Sequence, residues 1–325
     1  MKQQTLAMAS DKNFGQFLRP TRRDMFLKTR DKIVPWQDLC SVVELHYPKG
    51  EGGRLPIGLE RMMRMLFVQH WFNLADQACE EALYDGASLR SFVGIDLGRE
   101  LVPDCTTLLR LRRLLEQHQL GQALFAKVGE VLQGRGMEVG TGTIVDATII
   151  SAPSSTKNKD KDKKRDPEMQ SVGKGKNYFF GKLHIGVDSS WGLVHSAVVT
   201  AANVHDKHPL PDLLHGEEFK VYGNSTYAGQ QELIETRAPL APDCTNQRVR
   251  NTKGVRVEKR RRNNREKSKV CFRVEHVFAT IKRQCGLSKV RYRGLHKKNA
   301  TRAFTALALA NIYMSRGLLL AQVRP

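Results

Sequence analysis

The stretch Thr143–Ile150, TIVDATII, decides the fold class. Six of its eight residues are β-branched. Such a run reads as a strand, whereas the apolar residues before it recur at helical spacing. A single charge, Asp146, stands in its middle, and a carboxylate in so apolar a strand is costly to bury unpaired. Asp146 therefore either borders a polar site or is bound to a partner, a buried Arg or Lys being the plainer alternative.

Upstream of the strand the chain is helical. Residues 1–56 are mixed, with turn signals at Arg19-Pro20 and around Pro48–Pro56. Leu59, Met62, Met63, Leu66, Phe67, His70 and Leu74 then mark one or two amphipathic helices whose methionines suit a core. Ser88–Phe92 reads as a short helix and Gly94–Gly98 as a turn. Asp104 is a fitting N-cap for the helix carrying Arg110, Arg112 and Arg113. Helix, turn and arginine-bearing helix are compatible with a DNA-reading helix-turn-helix, although many all-helical domains contain such a pair. A further helix covers Leu120–Leu132, and glycines cluster over Gly134–Gly142. The expected division is a helical domain, 1–138, followed by an α/β domain, 139–325.

Downstream, Ser151–Lys176 has the composition of a charged loop. Asn177–Asp188 and Gly192–Ala202 read as two strands of a hairpin turning at SSWG, and Glu218–Tyr222 as another strand. Strands interrupted by helices give a mixed sheet flanked by helices.

The charge points to the partner. The chain carries a net +20 with a pI of about 9.9. Between Arg248 and Arg302 stand 20 Lys and Arg against three acids. Charge so concentrated favours a polyanion, nucleic acid first, over a merely solvated face. Within that segment, FRVEHVFATIKRQCG (Phe272–Gly286) places Val274, Val277, Phe278, Ile281 and Cys285 on one helical stripe. Glu275 and Lys282 lie together on its rim, roughly 10 Å apart along the axis. Glu275 either balances local charge or serves a site.

Six scattered cysteines without CxxC spacing read as reduced thiols. No run approaches 18 apolar residues and the first residues lack a signal-peptide core, so a cytoplasmic protein with no membrane contact is expected. Carboxylates from Asp146 and Glu275, with the polar turn GNSTYAG, are what a two-metal phosphoryl-transfer site needs. Mg2+ prefers oxygen ligands, and two ions about 3.5–4 Å apart activate the attacking and leaving oxygens.

The runs TIVDATIISAPSSTKN, RDPEM, YFFGKLHIGVD, GLVHSAVVTAANVHD, STYAG, RVEHVFATIKRQCG and VRYRGLHKKNA resemble the DDE transposases of bacterial insertion sequences, in particular the IS-five family. The resemblance extends from about Thr143 to the C-terminal helix, and the helical front is similar to that family's N-terminal domain. It implies a ribonuclease-H-like fold, with Asp146 as the first catalytic aspartate, Glu275 as the glutamate and Lys282 as a phosphate contact. The family's second aspartate stands three residues before the Tyr of the Tyr-x-Gly turn, and that position is Asn224. Asn224 thus occupies a catalytic, metal-binding place with a neutral side chain, so turnover should be impaired. The family's tyrosine and arginine upstream of the glutamate have no clean match. Ser268 and Cys271 stand nearest, and Arg273 is the candidate substitute.

The resemblance further implies two Mg2+ per site when Asp stands at 224, with Mn2+ able to replace it. The partners would be double-stranded DNA, as terminal inverted repeats and target, and a second copy of the chain in a homodimer. Lys282, Arg283, Arg273, Arg260, Arg261, Arg262, Arg110, Arg112 and Arg113 are the candidate DNA contacts. A decayed genomic copy and a deliberate substitution both account for Asn224, as does a misplaced register with Asp188 or Asp206 as the nearest other acids. A catalytically silent, transposase-derived DNA-binding protein is the alternative function, and an RNA-binding protein with incidental acids a third.

Overall fold

The computed structural model describes residues 19–50, 56–137, 140–151, 179–249, 255–292 and 295–323. The charged loop expected after Ser151, with its RDPEM motif, and the beginning of the chain lie outside the described residues.

The helical front comprises α1 (Arg22–Ile33), α2 (Trp36–Glu44), α3 (Leu59–Trp71), α4 (Asp76–Asp85), α5 (Ala87–Val93), α6 (Cys105–Gln117) and α7 (Leu120–Gly134). The first two lie within a stretch that reads as mixed, and α1 starts from a local signal. The Thr21 hydroxyl accepts from the Asp24 amide at 3.1 Å, and the Asp24 carboxylate accepts from the Thr21 amide at 2.8 Å. This reciprocal capping box satisfies two of the amides that a helix start leaves orphaned. On α3, Met62, Met63 and Met65 are buried, so the methionine stripe is core as expected.

The strands are β1 (Thr143–Ser151), β2 (Phe179–Asp188), β3 (Val194–Ala201) and β4 (Val221–Gly223), in the order β3-β2-β1-β4. β1 and β2 pair antiparallel, as do β2 and β3, while β4 runs parallel to β1. Residues 242–246 continue the sheet along β4, where the Cys244 amide donates to Val221 O at 2.8 Å and the Asn246 amide to Gly223 O at 2.9 Å. A mixed sheet in this order, flanked by helices, is the expected ribonuclease-H-like arrangement. Short helices α8 (Leu210–Leu213) and α9 (Gln231–Arg237) are followed by α10 (Val255–Gln284), a π-helical turn (Leu295–Asn299), α11 (Ala300–Met314) and α12 (Arg316–Val323).

Alternation along β1 separates two cores. Ile144 and Ile150 join the main cluster, whereas Val145 packs in a smaller one with Leu210, Leu213, Tyr227 and Ile234. The predicted stripe Val274, Val277, Phe278, Ile281 and Cys285 is buried in the main cluster, which runs without interruption from Leu27 in the helical front to the sheet and α11. At Gly121 on α7, a Cβ would stand 2.8 Å from the Thr301 carbonyl, so only glycine lets α7 approach α11 this closely. No single described helix is long and apolar enough to cross a membrane.

The end of α10 is closed by a buried arginine. Arg302 donates to the carbonyls of Gly286 at 3.1 Å, Cys285 at 3.4 Å and Lys289 at 3.1 Å, and to Asn73 Oδ1 at 3.1 Å. Gly286 turns the chain at φ 58°, and its missing Cβ leaves room for the Asn73 side chain. Replacing Arg302 with Met should cost about 2–4 kcal/mol, because three carbonyls lose a charged donor in a site closed to water. Urea denaturation of the two proteins measures the difference.

Candidate functional site

The parallel register of β1 and β4 aligns Val145 with Gly223, so the residues that follow, Asp146 within β1 and Asn224 just past β4, meet at the C-terminal edge of the parallel pairing. The Asn224 amide Nδ2 donates to Asp146 Oδ1 at 3.0 Å, and the Ala147 backbone N–H donates to the same oxygen at 2.8 Å. Asn224 Oδ1 meanwhile accepts from the Thr226 backbone N–H at 2.8 Å. The amide has one orientation that suits both neighbours, nitrogen toward the carboxylate and oxygen toward the N–H. Tyr227 is fully buried behind this turn and its hydroxyl has no partner. Burial, then the negative charges of Asp146 and Asp206, drive its acidity far down.

Glu275 is exposed on the rim of α10, the helix packed against β1, and its charge reaches Asp146. Burial pushes the Asp146 carboxyl up to about 6; the Ala147 N–H opposes this, Glu275 and Asp206 reinforce it, and Asn224 opposes it. Asp206 enters the sequence reading only as an alternative acid under a misplaced register. It follows β3 and is held by Lys182 Nζ at 2.8 Å, with the same ammonium donating to Val204 O. Cys271, one turn before Glu275, also feels the charge of Asp146, and burial above all raises its thiol to about 11.

The oxygens that could meet a divalent cation are therefore those of Asp146 and Glu275. Asn224 turns a nitrogen, not an oxygen, toward Asp146, and its oxygen is committed to the backbone. No group of three or more His, Cys, Asp or Glu suited to a metal occurs among the described residues. This donor set does not fit the two Mg2+ ions that the resemblance implies.

Of the cationic candidates, Lys282 shares the Glu275 flank and lies over the Phe278 ring at 5.9 Å. Arg283 is exposed on another flank. Arg273 donates to Ser190 O at 2.8 Å, in the β2–β3 turn, and so does not stand in for an arginine beside the carboxylates. Arg260, Arg261 and Arg262 lie in the first half of α10, which the basic composition did not reveal as helix. Asn264 and Lys267 tie that half to the 245–247 segment through bonds to Gln247 and Thr245.

Arg112 is a correction. The residue is 8% exposed, and its guanidinium makes a bidentate pair with Asp76 at 2.6 and 2.7 Å while lying over the Tyr292 ring. It joins α6 to α4 and cannot reach DNA. Arg110 and Arg113 are exposed. Residues 94–104 separate α5 from α6, eleven residues where a helix-turn-helix uses about 3–4, so that motif is not formed here. Asp188 is fully buried and accepts from the backbone of Gly140, Ser190 and Trp191, a turn-fixing role. All six cysteines are free.

The Asp146 shift has a sign that can be measured. A carboxyl raised from 3.8 to about 6 on folding is neutral in both states at low pH and destabilises the fold increasingly as pH rises between those values. Asp146→Asn, neutral throughout, should gain about 1–3 kcal/mol over the parent at pH 8 and almost nothing at pH 3.5. Denaturation in EDTA at both pH values compares them.

Among known proteins, the family model described as Transposase DDE domain matches residues 138–311, and the one described as Transposase domain (DUF772) matches residues 16–114. The piggyBac transposase in a synaptic complex with hairpin DNA, solved by cryo-EM, is a structural neighbour at 9% identity and a TM-score of 0.46, over 93% of this chain and 78% of that one. With more than half its length matched, and with Asp146, position 224 and Glu275 all inside the matched span, this chain belongs to the Transposase DDE domain family.

Proposed function

We propose that the chain is an insertion-sequence transposase of the IS-five kind that binds transposon-end DNA, and that its DNA cleavage and strand transfer are impaired by Asn224. The observation that carries this reading is the hydrogen bond from Asn224 Nδ2 to Asp146. It supports the reading because a neutral donor beside Asp146 would leave the proposed set of metal-binding carboxylates one short.

Members of this family generally use divalent metal ions. In the form with Asp at 224, Asp146, residue 224 and Glu275 would hold Mg2+, with Mn2+ as a substitute, and Lys282 would hold a phosphate beside them. The basic arm containing Arg260, Arg261 and Arg262, with Arg110 and Arg113, would contact DNA backbone. Phosphate contacts of this sort position the protein without reading sequence. Pairing of two ends calls for a homodimer on DNA. A silent DNA-binding derivative of such an enzyme is the second reading, favoured by the same hydrogen bond.

Asn224→Asp tests both. Two carboxylates in contact without a cation repel each other, so the variant should unfold more easily than the parent in EDTA by about 1–3 kcal/mol. Mg2+ should recover that loss in the variant and leave the parent nearly unchanged. Cleavage of end DNA should rise by at least about 100-fold, as expected when a lost site charge is restored. Equal Mg2+ response and equal cleavage in the two proteins would refute the assignment of position 224. In addition, a labelled inverted-repeat duplex should resist competition by random duplex at fixed salt. RNA competing as well as the repeat would favour the RNA-binding alternative.

A further inference from the structure

Away from the carboxylates, the last turns of α10 border a groove of ≈ 540 Å³. Arg273, His276, Thr280 and Arg283 line it, recurring three and four residues apart on one flank of the helix. That flank lies about 120° around the helix from Glu275 and Lys282. The opposite walls are Trp191 in the β2–β3 turn and Arg316 at the start of α12.

Two features suit this groove to a polyanion. Arg273, Arg283 and Arg316 line it together with His276, and no carboxylate does. Its shape is also held in advance. Arg273 donates to Ser190 O at 2.8 Å and so fixes the turn that carries Trp191, while Arg316 lies over the Tyr313 ring at 4.2 Å and donates to Tyr313 O at 3.0 Å. Trp191 is 43% exposed, a large apolar face left open beside the cations. Cations at spacings set by a helix, next to an aromatic face, match a sugar–phosphate chain better than a single small anion.

We infer that this groove is a second DNA-backbone site, holding phosphates of a duplex at a place separate from the carboxylate edge. The inference rests on the proposed DNA-binding function and adds to it a location and a set of residues. Arg283 and Arg316 carry the phosphate contacts, Arg273 positions the turn, and Trp191 packs against sugar or base.

The test uses the full chain and a random-sequence duplex, with affinity measured across a range of salt concentrations. The double variant Arg283→Ala/Arg316→Ala should bind at least about 10-fold more weakly near 0.1 M salt. The slope of log affinity against log salt should become shallower by about 2, at roughly 0.9 per lost phosphate contact. Lys127→Ala, which removes a half-buried charge paired with Glu130 on α7, should leave the slope unchanged. Both substituted arginines are exposed, and a denaturation midpoint matching the parent's confirms that the variant is folded. Arg283→Gln, which keeps most of the side chain's packing, should by itself lower the slope by about 1. If the parent binds duplex and the variants bind with the same affinity and slope, the groove assignment is overturned while DNA binding stands. If the parent binds no duplex at any salt, the underlying function fails and the groove assignment falls with it.

Discussion

A guanidinium buried at the end of α10 sets the position of almost everything else. Arg302 is 6% exposed and takes up carbonyls from the end of α10 and from the segment after it, while also holding Asn73 of the helical front. Burial, and then the neighbouring charge of Arg291, lower its pKa to about 10, which leaves it charged at neutral pH. A cation among the free carbonyls of a helix C-terminus is the electrostatically favoured arrangement. Arg291 donates to Asn73 and Leu74 from the next segment, so the helical front and the carboxylate-bearing helix are locked at one junction. Glu275 can face Asp146 because the far end of its helix cannot turn.

At the sheet edge the constraint is of the opposite kind, too much negative charge in too little water. Asp146 already binds its proton more tightly than an exposed aspartate, with Glu275 and Asp206 adding to the effect of burial. A neutral amide at 224 relieves that strain by donating a hydrogen bond, whereas a carboxylate there would add to it. Under the proposed function, apo-state stability and metal affinity would therefore pull in opposite directions at this one position. The same trade between a comfortable fold and a charged, reactive edge recurs in many active sites.

What the sequence revealed followed periodicity. The α10 stripe and β1 were legible because burial repeats at 3.6 residues in one and β-branching fills the other. The basic half of α10 was not legible as helix, since a segment without a buried face has no apolar period to read. Arg112 was misread for a related reason. A charge on a helix looks solvent-facing until its partner is known, and Asp76 lies 36 residues earlier on another helix. The Thr21–Asp24 capping box was present in the sequence and would have announced α1. The pairing of Asp146 with Asn224 depends on a parallel register, which no local pattern encodes, and position 224 came only from the resemblance. Asp206 stood in the sequence only as a nearby acid, because its place beside Asp146 depends on how the chain leaves β3.

The unbroken length of α10 constrains the chain in a way that composition does not. Arg262 and Glu275 sit on one rod, thirteen residues and about 20 Å apart, with no hinge between them to absorb an error. Deleting any one residue in that interval would swing the basic arm by about 100° relative to the sheet edge, while a change of seven would return it to within about 20°. Individual side chains there are free to vary as long as the phase is kept. The spacing between the basic arm and Glu275 is thus set by helical geometry, residue by residue.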